Sequence, residues 1–422
     1  MLTFLFLVEV TLFVWIQYKR EGNILNLISV LMAPYAVIVF ANNCFMYRLG
    51  FNRISDNSLM LYMTAFACFF VGSVLTSPGP LLWVDENDNE DRFKLYDINS
   101  MIIFLLIIGV ISILKLFIEF RSGTFNTSNF SDAQGLMGNG IIGHLLLLSY
   151  SILPIVFLYW TYNRKKISAF FAVLLIVIAT FSTFVKYNII GLAVSLFLFI
   201  LIYKKSALKK AVIILLTFTV IAFVGNYALG FFINKVTAST SFYLNHLWVY
   251  TGGSLIHSND VFTIGMNTHI DLIDKVLVCI MALPRMFIQK FTGVNIFPYH
   301  VMEERSIGNT YDKTTNVLDA ISYFYPSKGS IIEIILFFAF LVLIGFTFSL
   351  IYNVNKKANV FNTAGANFLT YFVFFSFFGT FYVYPGPWEI MVYSLVIPNL
   401  FIRSKKVRII FGHNKYRLTL RR

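Results

Sequence analysis

The sequence has few charged residues, few prolines and very little cysteine. Of its 422 residues, 13% are charged and 58% are hydrophobic, with 10 prolines and 3 cysteines. A soluble domain has about 25% charged and about 45–50% apolar residues, so this chain cannot cover a water-facing surface. The composition excludes a soluble enzyme, a disordered protein and a free nucleic-acid-binding protein. It predicts an all-α, polytopic integral membrane protein.

The sequence also lacks the short motifs of several functional classes. It contains no Walker A loop, no HExxH and no paired CxxC, which excludes a standard ATP-binding loop and the common zinc sites. Cys44, Cys68 and Cys279 lack metal-binding or redox spacing, so we interpret them as packing residues. The acidic run 85–91 could bind a divalent cation, but a solvated acidic loop is the simpler interpretation. We therefore expect neither a metal nor a cofactor.

Long apolar runs are the main feature that is present. A helix needs about 20 apolar residues to cross the hydrocarbon core of a bilayer. About eleven runs predict membrane-spanning helices, roughly 2–18, 27–47, 58–77, 100–119, 143–162, 167–184, 187–203, 211–232, 330–352, 364–384 and 387–402. The predicted organisation is an N-terminal bundle of about eight helices over 1–232, a long segment 233–329, three helices over 330–402 and a basic tail 403–422.

The distribution of charge predicts the orientation. The net charge is +13, and most basic residues lie in connectors on one side of the predicted bundle and in the tail 403–422. Basic residues accumulate on the cytoplasmic side of membrane proteins. The C-terminus is therefore expected to be cytoplasmic, and the N-terminus and the segment 233–329 are expected on the opposite face. The basicity is then a sign of topology and not of nucleic-acid binding.

The segment 233–329 holds many of the scarce polar groups. Four of the six histidines lie there, together with acidic, basic and aromatic residues. Its apolar stretch 276–291 contains Pro284, Arg285 and Lys290, so we expect an interfacial or re-entrant helix there rather than a span. A connection this long usually has a function or a structure of its own. Alternatively, it is simply the largest water-exposed part of the chain and collects polar residues for that reason.

Two kinds of functional side chain are expected in or beside this segment. Cations near the lipid headgroups bind phosphate, and the candidates are Arg285, Arg305 and Lys186. Snorkelling of these side chains to the headgroups is the alternative. A general base requires His, Asp or Glu, and the candidates by location are His300, Glu303 and Asp319. Ionisable residues inside predicted spans are also functional hypotheses, and these are Glu9, Lys115, Glu333 and Glu389.

The order of the segments and two short elements carry a family resemblance. The element Tyr250-Thr251-Gly252-Gly253 is similar to an aromatic residue followed by Gly-Gly, and Asn316, Tyr323, Tyr325 and Gly329 stand at matching positions later in the segment. With about eleven spans and one large loop before the last helices, nearly the whole chain resembles the bacterial O-antigen polymerase family, the Wzy-type oligosaccharide repeat-unit polymerases. It departs from the family pattern at Lys186, Asp319 and Ser327, where the family has Arg, Thr and Asp.

The resemblance implies glycosyl transfer at the periplasmic face of the bacterial inner membrane. The substrates would be glycans on undecaprenyl pyrophosphate, with the bilayer as their reservoir and the flippase and chain-length regulator of the same pathway as partners. The implied pyrophosphate-binding residues are Arg285, Arg305 and Lys186, and the implied base is one of His300, Glu303 and Asp319. The implied substrate contacts are Tyr250, Gly252, Gly253, Asn316, Tyr323 and Tyr325.

Two alternatives stay open at this point. An O-antigen ligase, or another polyprenyl-linked sugar transferase, would pass the sugar to a different acceptor. A flippase or other transporter of lipid-linked oligosaccharides would show evenly spaced spans, short connectors and repeat symmetry. The long segment 233–329 and the lack of an internal repeat disfavour the transporter.

Overall fold

The protein is mainly helical. The computed structural model describes residues 1–76, 86–122, 140–163, 165–183, 185–204, 208–220, 240–263, 271–298, 304–311, 313–326, 329–356 and 360–403. The first ten helices of this part are α1 (Leu2–Glu21), α2 (Leu27–Cys44), α3 (Asp56–Val74), α4 (Glu86–Leu95), α5 (Ile98–Arg121), α6 (Gly140–Ser149), α7 (Leu153–Tyr162), α8 (Ile167–Phe181), α9 (Lys186–Tyr203) and α10 (Leu208–Val220).

The later elements include one short pair of strands. The helices are α11 (Thr240–Thr263), α12 (Leu272–Ile280), α13 (Ala282–Thr292), α14 (Ala320–Phe324), α15 (Ile331–Lys356), α16 (Thr363–Phe368) and α17 (Pro385–Leu400). The strands β1 (Arg305–Ser306) and β2 (Thr314–Thr315) form an antiparallel hairpin between α13 and α14. Single turns of 3-10 or π geometry lie at Met46–Leu49, Leu369–Val373, Phe374–Phe377 and Phe381–Val383.

Five of the described helices are long and apolar enough to cross a membrane. They are α1, α2 and α3, the Ile98–Glu119 part of α5 and the Ile331–Asn355 part of α15. A sixth span results if α6 and α7, which are bent by 44° at a short break, are counted as one. Shorter apolar helices lie at Ile167–Phe181, Tyr187–Tyr203 and Thr363–Phe377. The chain therefore has the helices of a multi-pass membrane protein, and the total of about eleven spans stays a prediction.

Several of these helices start at a polar residue whose side chain caps the helix N-terminus, and an apolar run follows. Asn26 accepts a hydrogen bond from the Ser29 amide at 2.9 Å, and Ser29 Oγ accepts one from the Asn26 amide at 3.1 Å. This reciprocal pair satisfies main-chain donors that have no partner within the first turn of α2. Ser55 and Asp97 cap α3 and α5 without the reciprocal bond, by accepting from the amides of Ser58 and Ser100.

Helices α3 and α15 approach each other closely because each has a glycine at the contact. A Cβ atom at Gly72 would lie 1.9 Å from the carbonyl oxygen of Val342, and one at Gly345 would lie 2.2 Å from the carbonyl oxygen of Phe69. Between helices in a bilayer the attraction comes largely from van der Waals packing, which small residues improve by letting the backbones meet. The two glycines therefore determine how tightly this helix pair packs.

Two predicted segments have a different structure from the expected one. The segment 364–384 begins as α16 and then continues through a π turn and 3-10 turns, so it is not one regular helix. Residues 233–329 contain the 24-residue helix α11 and the β1–β2 hairpin in addition to the helix predicted over 276–291. That helix is present, but it is broken at Met281 into α12 and α13. Glycine and polar residues have low helix propensity, so sequence alone did not indicate α11.

Gly345→Ala should destabilise the protein by about 1–3 kcal/mol, because the added methyl group forces the backbones of α3 and α15 apart. The measurement is the thermal unfolding midpoint of the purified protein in detergent. Gly386→Ala is the matched control, since the nearest atom to its Cβ position lies 3.8 Å away. Equal midpoints for the two variants would contradict the close approach of α3 and α15.

Candidate anion-binding site

One face of the helix pair α12–α13 is buried and carries two cations. The buried positions recur at helical spacing across the break, at Lys275, Val278, Cys279, Ala282 and Arg285. Lys275 is only 3% exposed and Arg285 only 8% exposed. Lysine and arginine are rarely this buried without a charged partner, so this face differs from an ordinary apolar packing surface.

The guanidinium of Arg285 joins three segments of the chain. Its Nη1 donates to the carbonyl oxygen of Phe297 at 2.6 Å, and its Nη2 donates to the carbonyl oxygen of Val383 at 2.7 Å. Phe297 follows α13, whereas Val383 lies in the turn just before α17. Both acceptors are neutral, so these bonds hold the guanidinium in place without neutralising its positive charge.

Lys275 is the second buried cation of this face. Its Nζ donates to the carbonyl oxygen of Tyr325 at 3.3 Å and lies 5.7 Å from the centre of the Tyr323 ring. Burial lowers the pKa of the Lys275 ammonium to about 8, although the charge of Asp271 acts in the opposite direction. An ammonium has three donors, and a protein carbonyl occupies one of them here.

We define the cation cluster as Lys275, Cys279, Arg285 and Tyr323. Burial raises the pKa of the Cys279 thiol to about 12, which keeps the thiol neutral although Arg285 acts to lower that pKa. Burial also raises the pKa of Tyr323, against the effect of Arg285. Within the described ranges, neither Lys275 nor Arg285 forms an ion pair with a carboxylate. The cluster therefore has a net positive charge, and an anion would compensate it.

The opposite face of α12–α13 is apolar and exposed. Ile273, Ile280 and Phe287 are spaced seven residues apart and are all largely exposed, and Val294 continues the series beyond α13. Residues seven apart lie on the same side of a helix. The helix pair thus separates a buried cationic face from an exposed apolar face.

Asp319 lies at the other end of the short helix α14 from this cluster. Its Oδ1 accepts hydrogen bonds from the amides of Ile321 and Ser322 at 3.0 and 3.1 Å, and its Oδ2 accepts one from Tyr62 Oη at 2.8 Å. Tyr35 Oη lies 3.4 Å from Oδ1. The side chain is completely buried, and this burial raises its pKa to about 6 against the effect of the hydrogen bonds. Asp319 thereby fastens α14 to α2 and α3.

Helix α11 packs against the hairpin at Gly253, and Gly252 contacts a side chain of the same helix. A Cβ atom at Gly253 would lie 3.0 Å from Ile307 Cδ1, and one at Gly252 would lie 2.6 Å from Trp248 Cε2. These glycines therefore act in helix packing, and they lie within α11 rather than in a loop. Further along the same helix, His257 Nδ1 lies 2.9 Å from the carbonyl oxygen of Val317.

Arg305 belongs to this second region. It pairs with Thr315 in the hairpin, and its charge acts on His257. The pKa of His257 is lowered chiefly by burial and further by Arg305, against the effects of Val317 and Asp260.

The predicted site residues fall into two adjoining groups. Arg285, Tyr323 and Tyr325 line the cation cluster, while Arg305 and Asp319 lie near α11 and the hairpin. Helix α14 joins the groups, since Asp319 caps it and Tyr323 lies within it, about 6 Å further along the axis.

The remaining predicted residues have the following places. The Tyr250 ring stacks on Phe378 with 6.2 Å between the ring centres. Asn316 is exposed just after β2, and Lys186 is the first residue of α9, with its side chain outside the described part. His300 and Glu303 lie outside the described residues.

Sequence reasoning did not single out two features of this region. One is Lys275, whose position beside an apolar helical stretch is the signal that could have found it. The other is a contact between His144 of α6 and Glu389 of α17, whose Nδ1 and Oε2 atoms are 2.7 Å apart. Glu389 was predicted as an ionisable residue in a span, but its partner was not predicted because His144 lies 245 residues away in the sequence.

Comparisons with protein-family models, with curated proteins and with solved structures find no match for this chain. Within the residues that the structure describes, no group of three or more His, Cys, Asp or Glu side chains could hold a metal ion.

Lys275→Met should stabilise the protein at pH 7. The folded-state pKa of Lys275, about 8, lies below its ordinary value of 10.5, so the buried ammonium destabilises the fold wherever it is charged. Each unit of this pKa difference corresponds to about 1.4 kcal/mol of lost folding free energy when the ammonium is charged. The gain should be largest below pH 8 and should disappear as the pH rises toward 10.5. Thermal unfolding measured from pH 6 to about 10 tests this.

Lys290→Met is the control for that measurement, because Lys290 lies on the same helix pair and is exposed. It should leave the unfolding midpoint unchanged across the same pH range. A Lys275→Met variant that is less stable than the wild type at pH 7 would contradict the destabilising effect of the buried ammonium.

Proposed function

We propose that this protein polymerises undecaprenyl-pyrophosphate-linked oligosaccharide repeat units into a surface polysaccharide. The reaction is a glycosyl transfer in which the lipid pyrophosphate is the leaving group. The observation that carries this proposal is the cation cluster, in which buried Lys275 and Arg285 have no carboxylate partner in the described part of the chain. A pyrophosphate supplies the negative charge that such a site lacks.

The exposed apolar face of α12–α13 supports a substrate that also carries a lipid. A helix with one apolar and one polar face lies in the interface of a bilayer with its apolar side toward the lipid tails. With Ile273, Ile280 and Phe287 toward lipid, the cation cluster lies at headgroup level. A polyprenyl pyrophosphate has the same two parts, a charged head and an apolar chain.

In the proposed topology, the site is accessible from the periplasmic side of the membrane. About eleven spans, with a periplasmic N-terminus and a cytoplasmic C-terminus in the bacterial inner membrane, place 233–329 in the periplasm. The starts of α6 and α17 then lie on the same side as α12–α13. Lipid-linked repeat units delivered to this face by the flippase of the pathway reach the site from the bilayer, and a chain-length regulator acts on the same product.

Each group of residues has a part in the proposed reaction. Arg285 and Lys275 neutralise the charge that develops on the departing pyrophosphate, and preorganised cations are effective at this because they need not reorient. Arg305 and Lys186 remain assigned to the pyrophosphates of donor and acceptor. His300 and Glu303 remain candidate bases. Asp319 accepts four hydrogen bonds, which favours a role in holding α14 over proton transfer.

Arg285→Ala should abolish long glycan chains while the protein still inserts into the membrane, with the rate of transfer reduced by at least about 100-fold. The assay incubates purified protein with a lipid-linked repeat unit and separates the products on a gel, where the wild type should give a ladder. Lys290→Ala is the control, and it should give the same ladder as the wild type.

Because Arg285 also bonds two main-chain carbonyls, Arg285→Lys and the unfolding midpoint of each variant accompany the assay. A normal ladder from Arg285→Ala would contradict the role of the cluster. Transfer of the glycan to a different acceptor would instead indicate a ligase, and movement of the lipid across vesicles without transfer would indicate a flippase.

A further inference from the structure

A histidine of α6 and a buried glutamate of α17 form a pair. His144 Nδ1 of α6 lies 2.7 Å from Glu389 Oε2 of α17, and Tyr393 Oη donates to the same oxygen at 3.3 Å. The Glu389 side chain is 5% exposed, whereas the His144 side chain is 39% exposed. One member of the pair is therefore enclosed by protein, and the other reaches the surface.

The pairing determines which nitrogen of His144 is available to accept a proton. An ionised carboxylate only accepts hydrogen bonds, so opposite an ionised Glu389 it is Nδ1 that carries the hydrogen and donates it. The lone pair of the neutral ring is then on Nε2, which has no hydrogen-bond partner among the described residues. A buried carboxylate that orients an imidazole in this way is the arrangement found in activated base pairs.

The position of the pair on α17 brings it near Arg285. Val383, whose carbonyl accepts the bond from Arg285, stands two residues before Pro385, the first residue of α17. Glu389 is one turn into that helix, about 6 Å along the axis. Helix α13, which carries Arg285, packs against α17 as well. A cation held by main-chain carbonyls and an oriented imidazole thus lie at the same end of one helix.

We infer that His144 is the general base of the reaction and that Glu389 is its positioning residue. This inference rests on the proposed function. The hydroxyl oxygen of the acceptor sugar forms a bond to the anomeric carbon of the donor, and the bond from that carbon to the pyrophosphate oxygen breaks. The electron pair leaves with the lipid pyrophosphate beside Arg285. The hydroxyl proton passes to Nε2 of His144, and Glu389 stabilises the imidazolium until the proton is released to water.

Two features favour a base over a simple contact between helices. The imidazole keeps a substantial exposed surface, so it is accessible from outside the pair. Glu389 also receives a second donor from Tyr393, so its negative charge is held in a fixed place. The described part of the cation cluster has no available proton acceptor, and the pair supplies one.

His144→Gln should lower kcat for glycosyl transfer by about 100- to 10,000-fold, with little change in KM for the lipid-linked repeat unit. Glu389→Gln should have a smaller effect of the same kind, and Glu389→Asp should recover part of the rate. Added imidazole should partly restore activity to His144→Gly, which a purely structural role would not predict. His413→Gln is the matched histidine control, and its kcat should equal that of the wild type.

A labelling experiment separates failure of this inference from failure of the proposed function. Diethylpyrocarbonate acylates accessible neutral imidazoles, so His144 should react faster than buried His257, as read by mass spectrometry of the peptides. A ladder of normal rate from His144→Gln overturns the inference and leaves the proposed function standing. If the wild type makes no ladder, the proposed function fails. If His144 is labelled no faster than His257, the inference that Nε2 of His144 is accessible and unbonded is also overturned.

Discussion

The candidate site depends on the two hydrogen bonds that Arg285 donates to main-chain carbonyls. Phe297, which follows α13, and Val383, which precedes α17, supply these carbonyls. Bonds from a charged donor are stronger than neutral ones, and they strengthen further in an apolar surrounding. They therefore fix α13 against the start of α17. Because the acceptors carry no net charge, the bonds that build the site do not themselves neutralise the guanidinium.

A second set of polar contacts holds the opposite end of the site. Aliphatic and aromatic side chains together form the core, and some of the buried polar groups join segments that are distant in sequence. Asp319 accepts hydrogen bonds from Tyr62 of α3 and from main-chain amides of α14. An unsatisfied buried carboxylate would be very costly, so this arrangement keeps α14 in one position. Tyr323, one turn later, then meets Lys275 at a defined distance.

Local pattern predicted some parts of this structure and missed others. Apolar runs indicated α1, α2, α3, α5 and α15, since each is a continuous stretch of roughly the required length. A helix over 276–291 was also predicted. Helix α11 was missed because Gly252 and Gly253 lower helix propensity, and packing of Gly253 against the hairpin overrides that preference. Arg285 was found as a cation, whereas Lys275 was only one of several bases in its segment.

The residue pattern predicted a membrane protein and placed Arg285 in an interfacial or re-entrant helix. Both predictions follow from neighbouring residues, namely the length of the apolar runs and the proline and charged residues that interrupt 276–291. The packing of the folded chain is what brings Arg285 to Val383, Asp319 to Tyr62, and His144 to Glu389 across 245 residues. Such pairs depend on how whole helices pack, and side-chain shape and close backbone approach control that packing, which no local pattern of residues encodes.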